Sequence, residues 1–330
     1  MSWFQSILQR TKSIIIRQSE DFILERLPEP APGAVTKDQD YVSIIVKSAR
    51  IDHVRRWTSK FYGCVQSRVH YLHVDRGDIE YQTVVVPALM KDLDPKNLDK
   101  VIQIDKPILG SVPYVGGLSL ELGLFSVKSV DLAGPYIDLL TSLAEKASVG
   151  FVSAALPFVE PFRKGADLLF GNADQSELEI GYDKTWTDLE TGYWVLMLAP
   201  KGSVSVSSLK VDPNDGRLLD GKGSALKGYP YIVFEIAKSN RRDDWILIPE
   251  LKAGWDAIAK AAKAGQLDDA EQLLKQFVLT CRWSPDLVPA DQQRLAHAAE
   301  AKLPELQKKT VISAGAVTEH PLGELRNLYP

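Results

Sequence analysis

Leu118-Ser119-Leu120-Glu121-Leu122-Gly123-Leu124 alternates leucine with small or polar residues across seven positions. Side chains on an extended chain point to opposite faces in turn, so a period of two specifies a strand with one buried face. Strand-like runs flank it on both sides. Upstream, residues 41–47 alternate around Val42, Ile44 and Val46. Residues 67–74 and 79–86 meet at Asp75-Arg76-Gly77-Asp78, a hairpin turn in which glycine supplies the positive φ. Residues 101–104 form a short strand candidate. Downstream, residues 179–182, 193–199, 204–211, 231–236 and 245–248 read the same way. Many short strands separated by Gly, Pro and Asp turns predict an α+β fold with an antiparallel, sandwich- or barrel-like core domain, not a βαβ fold.

Helices interrupt and follow this core. A short one is expected over 52–61. Another spans 135–147, where Pro135 suits the first turn and Ile137, Leu140, Leu143 and Ala144 form a stripe. Residues 149–170 are small and apolar, with Pro157 and Pro161. After Pro249 the composition shifts to Ala, Lys, Leu and Gln, which predicts a three-helix segment. Its first helix covers 251–264 with Trp255, Ile258 and Ala262 on one side, and Gly265 ends it. A second covers 267–281, with Ala270, Leu273, Leu274, Phe277 and Val278 inward, and a third 289–308. The run from Ala257 through Gly265 to Ala270 and Val278 resembles a single tetratricopeptide-type hairpin over about one repeat. Such solenoids need about three stacked units, and no second copy is present, so a helical hairpin packed on the sheet is the expectation.

At the other end, residues 2–27 read as one helix. Trp3, Phe4, Ile7, Leu8, Ile14 and Ile15 fall on one face at helical spacing, with Arg10, Lys12 and Arg17 at its edges or beyond. Three prolines between Pro28 and Gly33 then predict a stiff extended linker. The expected organisation is therefore an amphipathic helix and linker over 1–33, a β-rich domain over 34–249, helices over 250–309 and an extended tail over 310–330. Three surfaces compete for Trp3, Phe4, Ile7, Leu8, Arg10, Ile14, Ile15 and Arg17: the chain's own body, a partner protein or second copy, and a membrane interface. Thr11 and Gln18, near the middle of the apolar face, favour protein over lipid.

Few residues suggest chemistry. The formal charge of −4 over 330 residues, without a basic stripe on the body, argues against nucleic-acid binding. No stretch approaches the roughly 18 apolar residues needed to span a bilayer, and the N-terminus lacks the run of a secretory signal; a cytoplasmic location is expected. Cys64 and Cys281 read as two buried thiols in a reducing compartment. His70 and His73, three apart on a strand, face opposite ways and cannot share a metal. Asp212-Pro213-Asn214-Asp215-Gly216 places its glycine one position too early for an EF-hand and reads as a tight turn. The Gly216–Gly228 stretch lacks phosphate-loop order, and no Gly-x-Ser-x-Gly elbow occurs. No catalytic, cofactor or metal residue is assigned, and no cofactor is expected.

Aromatic residues crowd the second half of the β region: Tyr182, Trp186, Tyr193, Trp194, Tyr229, Tyr231, Phe234 and Trp245. They read mainly as core, with Trp186 the candidate for exposure in a 184–188 loop. The functional expectation is a non-enzymatic interaction protein, an adaptor or assembly component that binds a protein partner, or itself, through the N-terminal helix or the C-terminal hairpin. The alternatives are a peripheral membrane effector using residues 1–17 and the 149–162 stretch, and an enzyme whose site is assembled from residues distant in sequence.

Overall fold

The computed structural model describes residues 22–51, 55–56, 59–73, 77–85, 102–128 and 176–302. The contact residues proposed between Trp3 and Arg17, the helix at 135–147, the apolar stretch at 149–162 and the tail lie outside the described residues. The fold is mixed α+β with antiparallel sheets.

Two five-stranded sheets dominate. The first contains β1 (Phe22–Arg26), β2 (Tyr41–Arg50), β6 (Ile102–Pro113), β9 (Gly192–Leu198) and β12 (Tyr231–Ser239), in the order β1-β9-β12-β2-β6. The second contains β3 (Arg55–Arg56), β4 (Ser59–His73), β5 (Gly77–Val85), β7 (Leu118–Lys128) and β8 (Ser176–Trp186); β4 pairs with β5 and β7, and β8 lies beyond β7. Leu118, Leu120, Leu122 and Leu124 of β7 point into a buried cluster shared with Val42, Ile44 and Val46 of β2 and with Phe234 and Ile236 of β12. The alternation read from the sequence thus contributes one face of β7 to a core cluster that draws residues from both sheets.

The apolar runs of β9 and β12 do not alternate with polar residues because both of their faces are buried. Trp194, Leu196, Ile232 and Phe234 join the shared cluster. Val195, Met197, Tyr231 and Val233 pack on the far side with Leu27, Val206, Leu209 and Leu218. The covering segment includes a 3₁₀ turn at Val206–Ser208 and the ribbon of β10 (Lys210–Val211) and β11 (Leu218–Leu219). The expected 204–211 strand is therefore shorter than its sequence pattern suggests.

Two further expectations are corrected. Phe22–Arg26, the end of the expected 2–27 helix, is a strand antiparallel to β9, with Phe22 and Leu24 toward the shared core and Ile23 toward the other cluster. Pairing with the edge of β9 overrides the local helical period, as tertiary context commonly does. Residues 28–32 of the expected linker are exposed, and the chain is bonded to the body at the linker's end. Gly33 N–H donates to Thr191 Oγ1 at 2.9 Å, Thr191 N–H returns a bond to Gly33 O at 2.9 Å, and Val35 N–H donates to Leu189 O at 2.9 Å. Within the expected 52–61 helix, Arg55–Arg56 and Ser59–Lys60 form an antiparallel pair instead.

The C-terminal helices follow the sequence closely: α1 (Pro249–Lys263), α2 (Leu267–Arg282) and α3 (Pro289–Glu300). Trp245–Leu247, expected as a strand, is a 3₁₀ turn leading into α1; its geometry puts Trp245 and Ile248 on one side, both in the helical core. Trp245, Trp255 and Phe277 pack with ring centroids 5.7 to 6.2 Å apart. Gly254 permits this approach, since a Cβ there would lie 3.1 Å from Phe277 Cδ2. Gly265, at φ 76°, closes α1 in the left-handed conformation. No helix among the described residues is long and apolar enough to cross a membrane.

Candidate functional site

Three places combine unusual side chains with unusual exposure or burial. The first joins the helices to the sheets. Tyr41, at the start of β2, donates its hydroxyl to Asp291 Oδ2 at 2.9 Å and accepts from Val288 N–H at 3.0 Å. Asp291 Oδ2 also accepts from Arg242 N–H at 2.6 Å, and Asp291 Oδ1 from Arg294 Nε at 2.7 Å. The Arg242 guanidinium lies 5.9 Å from the Tyr41 ring centroid and donates to Asp286 O at 3.3 Å. Tyr41, Arg242, Asp286 and Asp291 are all buried. Burial, with the neighbouring Asp291 carboxylate, pushes the Tyr41 phenol far up and keeps it a neutral donor. These bonds tie the start of β2 to Arg242 and to the first turn of α3, so the network acts as a clamp.

The second lies on the face of β7 opposite its leucines. Strand register sets Arg68 across from Glu121 and His70 across from Glu80. Arg68 bonds Glu80 at 2.5 Å and lies 3.5 Å from Glu121, and His70 Nε2 is 4.0 Å from Glu80. Burial raises the Glu121 carboxyl above its ordinary range, against the pull of Arg68; Asp183 and Glu80 push the same way. A strand read as having one water-facing side therefore carries a buried ion-paired cluster instead. No group of three or more metal-ligating side chains occurs among the described residues.

The third is on α2. Ala270, Leu274, Phe277, Val278 and Cys281 face the helical core, which leaves Leu279 and Trp283 outside. Leu279 is 56% exposed and Trp283 is 80% exposed. Four residues apart, they stand on the same side of the helix end, and Trp283 N–H donates to Leu279 O at 3.1 Å, so Trp283 continues the last turn. Arg282 between them pairs with Glu300 of α3, which fixes the end of α2 against its neighbour. A solvent-facing indole on a rigid support is the type of side chain that dominates binding energy at protein interfaces.

The residues singled out from sequence fall differently. Trp186, expected exposed, ends β8 and is buried at 5% exposure, edge-to-face with Trp194 at 5.7 Å. The first half of the expected loop, Lys184 to Trp186, belongs to β8, and its inward parity carries Trp186 into the core. Cys64 and Cys281 are buried free thiols; burial pushes Cys64 far up and Cys281 to about 12, so neither is poised as a thiolate. Asp212 forms the expected turn, its Oδ1 accepting from Asn214 N–H at 2.9 Å while Gly216 N–H bonds Asp212 O at 2.8 Å. Sequence reading missed Leu279 and Trp283, although their position off the inward set of α2 was a usable signal. The Tyr41–Asp291 clamp spans 250 positions and has no local signal.

No protein-family model, curated protein or solved structure matches the chain.

Proposed function

We propose that this chain is a non-enzymatic interaction protein that presents the end of α2 to a protein partner, a second copy of the chain being one such partner. The observation that carries the reading is the pair Leu279 and Trp283, exposed at the end of a helix whose Leu274, Phe277 and Val278 are buried. Removing an indole of this size from water on binding is worth about 2 kcal/mol or more when it seats centrally. In this reading the two sheets form a sandwich-like body, supported by the single buried cluster drawn from both, and the clamp at Tyr41 holds the helices in place. Two buried free thiols fit a reducing, cytoplasmic setting.

Affinity purification of the full chain against the Leu279→Ser/Trp283→Ser double variant tests this. The reading expects at least one stoichiometric partner on the native chain that is lost from the variant, with the unfolding midpoint unchanged. Equal retention by both chains, or no partner for either with light scattering showing a monomer, rejects it.

A further inference from the structure

At the edge strand β8 a lysine lies beside two indole N–H donors that have no acceptor among the described residues. Lys184 shares the inward parity of Tyr182 and Trp186. Its Nζ lies 5.3 Å from the Trp186 ring centroid and 5.4 Å from that of Trp194. The two indoles stand nearly perpendicular, at 77°. Trp194 is backed by Phe234, stacked at 6.5 Å, and the contact between Phe22 and Tyr182, at 6.0 Å, extends the aromatic surface toward β1.

An ammonium near two indole faces gains from their quadrupoles. That interaction uses the ring faces and leaves the N–H edges over. Trp186 Nε1 and Trp194 Nε1 are both buried and have no hydrogen-bond partner among the described residues, and the residues that carry them are 5% and 8% exposed. Among the described residues no carboxylate pairs with Lys184, whose side chain is half-buried. An inward lysine on an edge strand has an ordinary explanation, since it discourages pairing with another sheet. That explanation accounts for the charge but not for two unpaired indole donors beside it, because buried N–H groups are normally satisfied.

We propose that this corner is a binding site for a small carboxylate with a flat apolar body, an arylalkanoic acid in chemical class. The carboxylate accepts from the Lys184 ammonium and from an indole N–H, and the ring packs among the aromatic side chains. A carboxylate is favoured over a neutral amide because the site offers donors and a positive charge together. The inference is independent of the α2 surface.

The test is titration of the ¹⁵N-labelled full chain with phenylacetate and, separately, with phenylacetamide, following the indole N–H resonances assigned through Trp186→Phe and Trp194→Phe. The expected result is a saturable shift of both resonances with phenylacetate. Loss of the charge-assisted bond makes phenylacetamide at least about tenfold weaker. Lys184→Met, which keeps the apolar stem, abolishes the response, and Lys184→Arg retains it. Should Lys184→Met fail to fold, the carboxylate–amide contrast on the native chain and the Lys184→Arg titration decide the matter. No saturable shift with phenylacetate, an equal response to the two probes, or an equal response in a folded Lys184→Met overturns the proposal.

Discussion

Tyr41→Phe removes one oxygen atom from the clamp between sheet and helices. The hydroxyl donates to the Asp291 carboxylate at 2.9 Å and accepts from Val288 N–H at 3.0 Å. A hydrogen bond to a charged group contributes about 1.5–3 kcal/mol, and a buried N–H left without an acceptor costs about 1–3 kcal/mol. The terms overlap because Asp291 keeps its bonds from Arg242 and Arg294. The expected loss is therefore about 2–4 kcal/mol, a large part of the roughly 5–15 kcal/mol of a typical domain. The phenyl ring fills the same volume and still faces Arg242, so cavity formation adds nothing. Urea unfolding measures the size of the effect and hydrogen exchange its location. Faster exchange should concentrate in the 284–288 connection and the first turn of α3, with β9 and β12 keeping their protection. A loss below about 0.5 kcal/mol, within the range of ordinary surface substitutions, would refute the reasoning. So would exchange that rises equally throughout the sheets.

Other outcomes follow from the same geometry. Arg68→Met leaves Glu80 and Glu121 without their shared cation and should cost about 3–5 kcal/mol at neutral pH, with part recovered in mild acid as the carboxyls protonate; pH-dependent urea melts check both. Burial raises the phenols of Tyr41 and Tyr71, and raises Tyr231 to about 12, above the unfolded value of 10.0. The folded chain therefore holds these protons where the unfolded chain releases them. That stability is complete below about pH 10 and falls above it, by up to about 1.4 kcal/mol per pH unit for each tyrosine. Alkaline unfolding should coincide with phenolate absorbance, and prior ionisation of these phenols in the folded state would contradict it. Gly216→Ala should destabilise by at least about 1–2 kcal/mol in thermal melts, because φ is 71° and the new Cβ would sit 3.1 Å from Lys47 O.

What the sequence revealed depended on whether the deciding contacts were local. The leucine alternation in β7 and the inward stripes of α1 and α2 are set by strand and helix periods, and they read correctly except that Ala261, not Ala262, is the buried alanine of α1. Phe22–Arg26 and Arg55–Arg56 did not, because each is held as a strand by a partner that its own residues do not specify. Trp186 was misplaced for a related reason: polar neighbours at 184–188 resemble a loop, yet β7 pairs with this stretch through Trp186 and carries the indole inward. Arg68 and Glu121 meet only through strand register across a 53-residue separation. Leu279 and Trp283 were accessible in principle, since subtracting the inward set of α2 leaves them outside.

The most direct measurement of the central claim replaces Trp283 with a photoreactive amino acid in the full chain. The modified chain is irradiated in extract of the organism that encodes it. Gln272, an exposed polar position on the same helix, serves as the control site. A docking surface at the end of α2 predicts a discrete protein adduct from position 283, a second copy included, and none from position 272. No adduct at either position, or the same adducts from both, would contradict the account.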